Sequence, residues 1–162
     1  MATKERLEKI YPIDLLRLIR QHSGYACGPA SIRMMLHCYG IEYSEQEIVK
    51  YLMGREKQNG IDWDDVREFF DENLNIRTSL YYQTTFEGLR NIFKFRKVPI
   101  MIAWNPSLKE GFDHFSVVWA VQTETIVLAD PDQPAPVTFS KDEFVTRWYG
   151  AGLFQPSLTL LR

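Results

Sequence analysis

Gln21-His22-Ser23-Gly24-Tyr25-Ala26-Cys27-Gly28-Pro29-Ala30-Ser31 is the stretch on which both the fold and the chemistry turn. Gly24 marks a loop, and beyond Ala30 the side chains of Ile32, Met35, Leu36 and Tyr39 recur at helical spacing up to Gly40, a natural C-cap. That spacing predicts a buried helix over residues 30–39 that begins close to Cys27. Pro29 suits its first turn, because the N–H that proline lacks would find no partner there. A cysteine at such a loop-to-helix step faces the positive end of the helix dipole and several unpaired main-chain N–H groups, which favour thiolate over thiol. Taken alone, Cys27 is more readily a buried, inert cysteine, since free cysteine is among the most buried residue types. Its surroundings shift that balance.

Gln21 lies six positions before Cys27 in the loop containing Gly24, a spacing that lets its amide return to the first turn of the helix. An amide N–H there, with the main-chain N–H of Cys27, would make the oxyanion hole that acyl transfer requires. His114 opens an apolar run over residues 115–121, and Asp130 closes the run over residues 125–129, with Pro131 turning the chain at once. If these two strands are antiparallel neighbours, the start of one meets the end of the other and Asp130 comes to His114. A carboxylate there fixes the imidazole tautomer and supports the imidazolium. His22 and His37 are rival bases, but both share the segment of the nucleophile. Asn105 is a rival orienter, ranked second because it comes from the strand before His114.

Outward from this constellation the chain divides. The opening mixes Leu7, Ile10, Ile13, Leu15, Leu16, Leu18 and Ile19 around Pro12 and reads as a short helical or irregular arm. Capping-box pairs at Ser44/Glu47, Thr84/Glu87 and Ser140/Glu143 predict three helix starts, and Asp62 starts another helix through Val66, Phe69 and Phe70. Residues 98–104, 115–121, 125–129 and, more weakly, 157–161 read as strands. Residues 130–136 read as a tight proline-rich loop between a strand and the last helix. Helices first and strands later predict an α+β fold.

Composition bounds the rest. The chain has 162 residues, 45% of them hydrophobic and 25% charged, with a net charge of −2, a profile that predicts a single domain spanning residues 1–162. The interspersed charges favour neither nucleic acid nor an anionic membrane as partner. No apolar run has the length of a membrane span, and the N-terminus lacks the apolar stretch of a signal peptide, so the expected location is the cytoplasm. Neither Cys27 nor Cys38 has the spacing of a zinc site. They lie eleven positions apart, about 16 Å along a helix at roughly 1.5 Å per residue and beyond disulfide reach, so Cys38 is expected to pack. Asp62, Asp64 and Asp65 read as a solvated helix start, and Lys94-Phe95-Arg96-Lys97 as a solvated helix end.

The run Tyr25-Ala26-Cys27-Gly28-Pro29-Ala30-Ser31 after Gln21, then Met35, Tyr39 and Gly40, then His114-Phe115-Ser116-Val117-Val118 and Asp130-Pro131, resembles the bacteriocin-processing cysteine peptidases. These are the papain-like domains that begin many peptide-exporting ABC transporters and cut leader peptides after a double glycine. The resemblance extends to Ser44, Gly60-Ile61-Asp62, Pro99 and Phe144 through Trp148. It implies a papain-like fold, with a helical N-terminal half packed on an antiparallel C-terminal sheet. It also implies Cys27 as nucleophile, His114 as base and then acid, Asp130 as orienter and Gln21 as oxyanion donor, with no metal or organic cofactor. Implied partners are a peptide or protein substrate, such as a leader peptide, and an exporter, though these 162 residues include no transmembrane or ATPase segment. A narrow cleft admitting glycine would follow, with Tyr25, Trp63, Trp104 and Phe112 as candidates to line it. Two alternatives stay open at this point: another acyl transfer or deamidation by the same residues, and a non-catalytic peptide-binding module of the same fold.

Overall fold

The structure is a computed structural model that describes residues 9–52, 60–109 and 113–161. Helices α1 (Cys27–His37), α2 (Glu45–Tyr51) and α3 (Trp63–Glu68) come first, and α3 runs on into a π turn over Phe69–Asn73. Strand β1 (Arg77–Tyr81) and helix α4 (Phe86–Arg96) follow, then β2 (Met101–Trp104), β3 (His114–Val121), β4 (Thr125–Ala129), β5 (Val137–Ser140) and α5 (Lys141–Arg147). The chain closes with the small β6 (Tyr149–Gly150) and β7 (Leu153–Phe154) pair and β8 (Ser157–Leu161). The main sheet has the order β1-β8-β2-β3-β4-β5, and each of its pairings is antiparallel. This is the expected α+β, papain-like arrangement, with the first helices packed against an antiparallel sheet.

Alternation along the strands separates two apolar clusters. Met101, Ala103, Phe115, Val117 and Ala129 pack with Ile32, Met35 and Leu36 of α1 and with Val66, Phe69 and Phe70. Ile102, Trp104, Val118, Ile126 and Leu128 pack instead with Leu89 of α4 and with Phe144 and Trp148. Successive side chains of a strand point to opposite faces, so the sheet is covered by α1 to α3 on one side and by α4 and α5 on the other.

The helix starts show which capping signals the chain uses. Ser44 and Asp62 form reciprocal boxes with Glu47 and Asp65. The start expected at Thr84 lies one residue later, where Thr85 Oγ1 accepts the Gly88 N–H at 3.0 Å. The Thr84 N–H that Glu87 would have satisfied is given to the Gln155 carbonyl. At Ser140 half of the box forms, its hydroxyl accepting the Glu143 N–H at 3.2 Å, because Ser140 also ends β5 opposite Thr125. The opening arm contains one 3-10 turn, Pro12–Leu15, while Leu7 lies outside the described residues. The loop over residues 130–136 leads into β5 and not directly into the last helix. Strand β1 was also absent from the sequence expectations.

Candidate active site

Helix α1 starts at Cys27 itself, three residues earlier than its apolar spacing indicates, with Ala26 as N-cap. The thiol therefore sits in the first turn, at the positive end of an eleven-residue helix. Gly28 lets this end approach its neighbours: a Cβ there would stand 2.5 Å from Ile61 Cδ1 and 3.6 Å from Phe115. A larger residue there would have to displace the Ile61 side chain.

His114 opens β3, where it pairs with Trp104 of β2. Asp130 follows the last residue of β4, and Val117 of β3 lies opposite Ala129. The antiparallel pairing thus brings the two side chains together: His114 Nε2 and Asp130 Oδ1 are 2.5 Å apart, with both side chains largely buried. Asp130 Oδ1 also accepts the Asp132 N–H at 3.0 Å, which fixes the carboxylate. Cys27 acts on His114 as well, its sulfur helping to hold the imidazole in the charged form. With Nε2 committed to Asp130, the nitrogen left for the thiol is Nδ1.

The electrostatics of His114 are a contest. Burial is the largest influence and opposes the imidazolium. The hydrogen bond to Asp130, with the influence of Cys27 and the charges of both partners, outweighs it, so the pKa rises from 6.5 to about 10. At neutral pH the ring is held as a cation between a carboxylate and a sulfur.

Gln21 reaches the same place from the loop before α1. Its main-chain N–H donates to the Pro131 carbonyl at 2.9 Å, next to Asp130. Its side-chain Nε2 donates one hydrogen to the Ser23 carbonyl at 2.8 Å, which leaves the second amide hydrogen uncommitted. The next residue, His22, gives its N–H to the Glu45 carboxylate at 2.9 Å. Glu45 is buried at the start of α2, and so the Gln21 loop is tied down on both sides.

These residues converge on a cleft of about 530 Å³ lined by Gln21, Cys27, Trp104, His114, Asp130 and Phe139. Trp104 is held by its Nε1–H donating to Ser116 Oγ at 2.9 Å and by edge contacts with His114 and Phe139. Trp63 stands elsewhere: it is buried edge-on against Phe115, inside the core between α3 and β3. Tyr25 is half-exposed in the loop whose Gly24 lines the cleft, and Phe112 lies outside the described residues. Phe139 escaped the sequence reading because β5 did; the alternation Val137-Thr138-Phe139 was its one signal. Asp113 was missed too. It accepts the Ala151 N–H at 3.0 Å, tying the β6–β7 turn to the start of β3.

The rival residues are engaged elsewhere. His22 is exposed, with its ring 3.9 Å from Glu45, and His37 Nδ1 is 2.6 Å from Glu42. Asn105 Nδ2 donates to the Lys109 carbonyl at 2.7 Å and so shapes its own loop. Among the described residues no group of acidic, histidine and cysteine side chains is arranged to hold a metal ion. Nor is any helix there long and apolar enough to cross a membrane.

A helix-borne cysteine facing a histidine and aspartate on an antiparallel sheet defines the papain-like class of fold. Within it, this chain belongs to the peptidase C39 family, whose family model matches residues 16–157. The peptidase domain of Streptococcus ComA, a bifunctional ABC transporter of a quorum-sensing pathway, superposes with a TM-score of 0.70 at 20% identity, over 89% of this chain and 96% of that one. A double-glycine-motif protease from an AMS/PCAT transporter, solved with its leader peptide, gives 0.67 at 22% identity over 90% of each chain. A chain described as a C39-like peptidase from Bacillus anthracis gives 0.75 at 15% identity, over 96% of this chain and 98% of that one. No curated protein matches the sequence.

Proposed function

We propose that this protein is a cysteine peptidase that cuts peptide bonds following small residues, with a Gly-Gly leader peptide as the leading substrate class. The observation that carries the proposal is the position of His114, hydrogen-bonded to Asp130 and lining one cleft with Cys27, both of which favour its charged form. A raised imidazole pKa beside a first-turn cysteine is the setting that stores a thiolate–imidazolium pair. Membership of the peptidase C39 family supports the class of reaction. The leader peptide bound by the transporter protease supports the substrate class.

In this mechanism the Cys27 thiolate attacks the scissile carbonyl carbon. The oxyanion accepts hydrogen bonds from the Cys27 main-chain N–H and the uncommitted Gln21 amide hydrogen. The tetrahedral intermediate collapses to a thioester as the imidazolium gives its proton to the departing amine. His114, now neutral, takes a proton from water as its oxygen attacks the thioester. A second collapse releases the acid and restores the ion pair. Asp130 remains ionised throughout and holds the ring. Trp104 and Phe139 wall the cleft and favour a chain without bulky side chains at the cut bond. A leader-peptide substrate would be met on the cytoplasmic side, where such precursors are made.

The test is mass spectrometry of peptides carrying a Gly-Gly step, incubated with the wild type and with Cys27→Ala. Cleavage by the wild type alone, into two products whose masses sum to that of the substrate plus one water, supports hydrolysis. Transfer of the acyl group to an added amine, or loss of a side-chain amide without cleavage, would assign the same residues to another acyl chemistry. No turnover, together with a Cys27 no more reactive to iodoacetamide than free cysteine, would leave a peptide-binding module.

A further inference from the structure

A second cavity lies away from Cys27. A groove of about 840 Å³ lies between the opening arm, the last turns of α4 and the β3–β4 turn. His114 begins β3 and Val121 ends it, so the groove is at the opposite end of that strand, roughly 23 Å away at about 3.3 Å per residue.

Its walls are strongly positive in a chain whose net charge is −2. Lys9, Arg90, Lys94 and Lys97 face it, with Asp14 as the one carboxylate among the lining residues. Asp14 is turned back onto the Tyr11 N–H at 2.8 Å, and Arg90 lies 3.5 Å from Glu87. Among the described residues, Lys9, Lys94 and Lys97 have no ion pair. Two of them crowd one ring, with Lys97 Nζ 4.2 Å and Lys9 Nζ 5.2 Å from the centre of Tyr11. The arm is fixed in this position by the Ile13 N–H donating to the Lys97 carbonyl at 3.2 Å. Ile13, Phe93 and Val121 supply an apolar floor. Like charges held this close repel one another until an anion enters.

We infer that this groove is a docking site for an acidic peptide segment in which carboxylates alternate with apolar side chains. Several features favour that ligand over a compact phosphate or a nucleic acid. The groove meets α4 at its C-terminal end, where Lys97 is the C-cap, so it is offered carbonyl oxygens and not a cradle of N–H groups. Charge must be met by separate, flexible ammonium groups, each suited to one carboxylate. The Tyr11 ring is already engaged by two ammonium groups, which compete with any base for stacking on it. The apolar floor complements the side chains between the acids.

The site acts independently of the Cys27 chemistry, and its test does not need turnover. Fluorescence anisotropy of a labelled peptide alternating Glu and Leu, titrated with the full chain, should show saturable binding. The binding should weaken as ionic strength rises from about 0.05 M to about 0.3 M. Lys94→Glu combined with Lys97→Glu should lower the affinity at least about tenfold. Lys94→Gln with Lys97→Gln, which removes charge without reversing it, should lower it less, and thermal melting shows that each variant folds. Blocking Cys27 with iodoacetamide should change nothing. Absence of saturable binding, equal affinity in the folded charge variants, release of the peptide on blocking Cys27, or tighter binding of tripolyphosphate or a short RNA would each overturn the assignment.

Discussion

The two ends of α1 carry the same side chain in opposite circumstances. Cys27 lies in the first turn, against His114, at the end of the helix where N–H groups are free. Cys38 is the C-cap, donates its S–H to the Met34 carbonyl at 3.4 Å, and has a pKa pushed from 9.0 up to about 12, chiefly by burial. Both are nearly inaccessible, at 8% and 2% relative exposure, so burial does not separate them. What separates them is the sign of the helix end and the presence of a cationic partner. One helix thus supplies both a site for a nucleophile and its internal control.

The largest expected effect removes that partner. His114→Ala should lower peptide hydrolysis by about 10⁴-fold or more. It should also cut the rate of Cys27 alkylation at neutral pH, making the two cysteines more alike; equal hydrolysis by the variant would remove His114 from the mechanism. Asp130→Asn comes next, at about 10²- to 10⁴-fold in kcat, since the amide can still orient the ring but cannot support its charge. The pH dependence follows from the direction of the shift. The folded pKa of His114, about 10, lies above its ordinary 6.5. Its contribution to stability is therefore complete below about pH 6.5 and is lost as pH rises toward 10. Melting temperatures of the wild type and His114→Ala should converge across that interval, and in Asp130→Asn the loss should come at lower pH.

A smaller effect acts on the same end through geometry. Gly28→Ala sets a methyl against Ile61 and should cost about 1–3 kcal/mol in denaturant unfolding, with a fall in activity. Glu45→Leu leaves the His22 N–H without its acceptor and loosens the loop that presents Gln21. Hydrolysis should fall about ten- to a hundredfold, in line with the roughly 1.5–3 kcal/mol of a hydrogen bond to a charged group. Alkylation of Cys27 should keep its rate, because that reaction forms no oxyanion. A parallel fall in both rates would mean that Glu45 merely holds the fold.

How much of this was legible in the sequence follows the same physics. The interior strands β2, β3, β4 and β8 are apolar enough to announce themselves, whereas β1 and β5, which were missed, are the two edges of the sheet. An edge strand has one neighbour and partial cover, so Arg77-Thr78-Ser79-Leu80-Tyr81 and Val137-Thr138-Phe139-Ser140 carry weak patterns. Missing β5 hid Phe139 from the cleft. Cys27, His114 and Asp130 could be brought together because a loop-to-helix step and one antiparallel pairing suffice to do it. Trp63 shows the opposite case: an aromatic residue after a helix cap looks the same whether it turns to a cleft or to the core. Only the packing of Phe115 against it decides.

The smallest expected effect tests the other end of α1. Cys38→Ala removes a sulfur from a fully packed site and breaks one weak bond to Met34, which should cost about 1 kcal/mol in unfolding free energy. Hydrolysis should be unchanged, because nothing in the cleft touches that end of the helix. At neutral pH the native wild type should take up one carbamidomethyl group, on Cys27, and a second only after unfolding. With its pKa near 12, Cys38 has almost no thiolate to offer while it stays buried. In Cys38→Ala the native count should stay at one and the unfolded count should fall from two to one. Equal labelling of both cysteines in the native protein would mean that the polarity of α1 and the cation of His114 do not set the reactivity of Cys27, and would leave the two ends of the helix chemically equivalent.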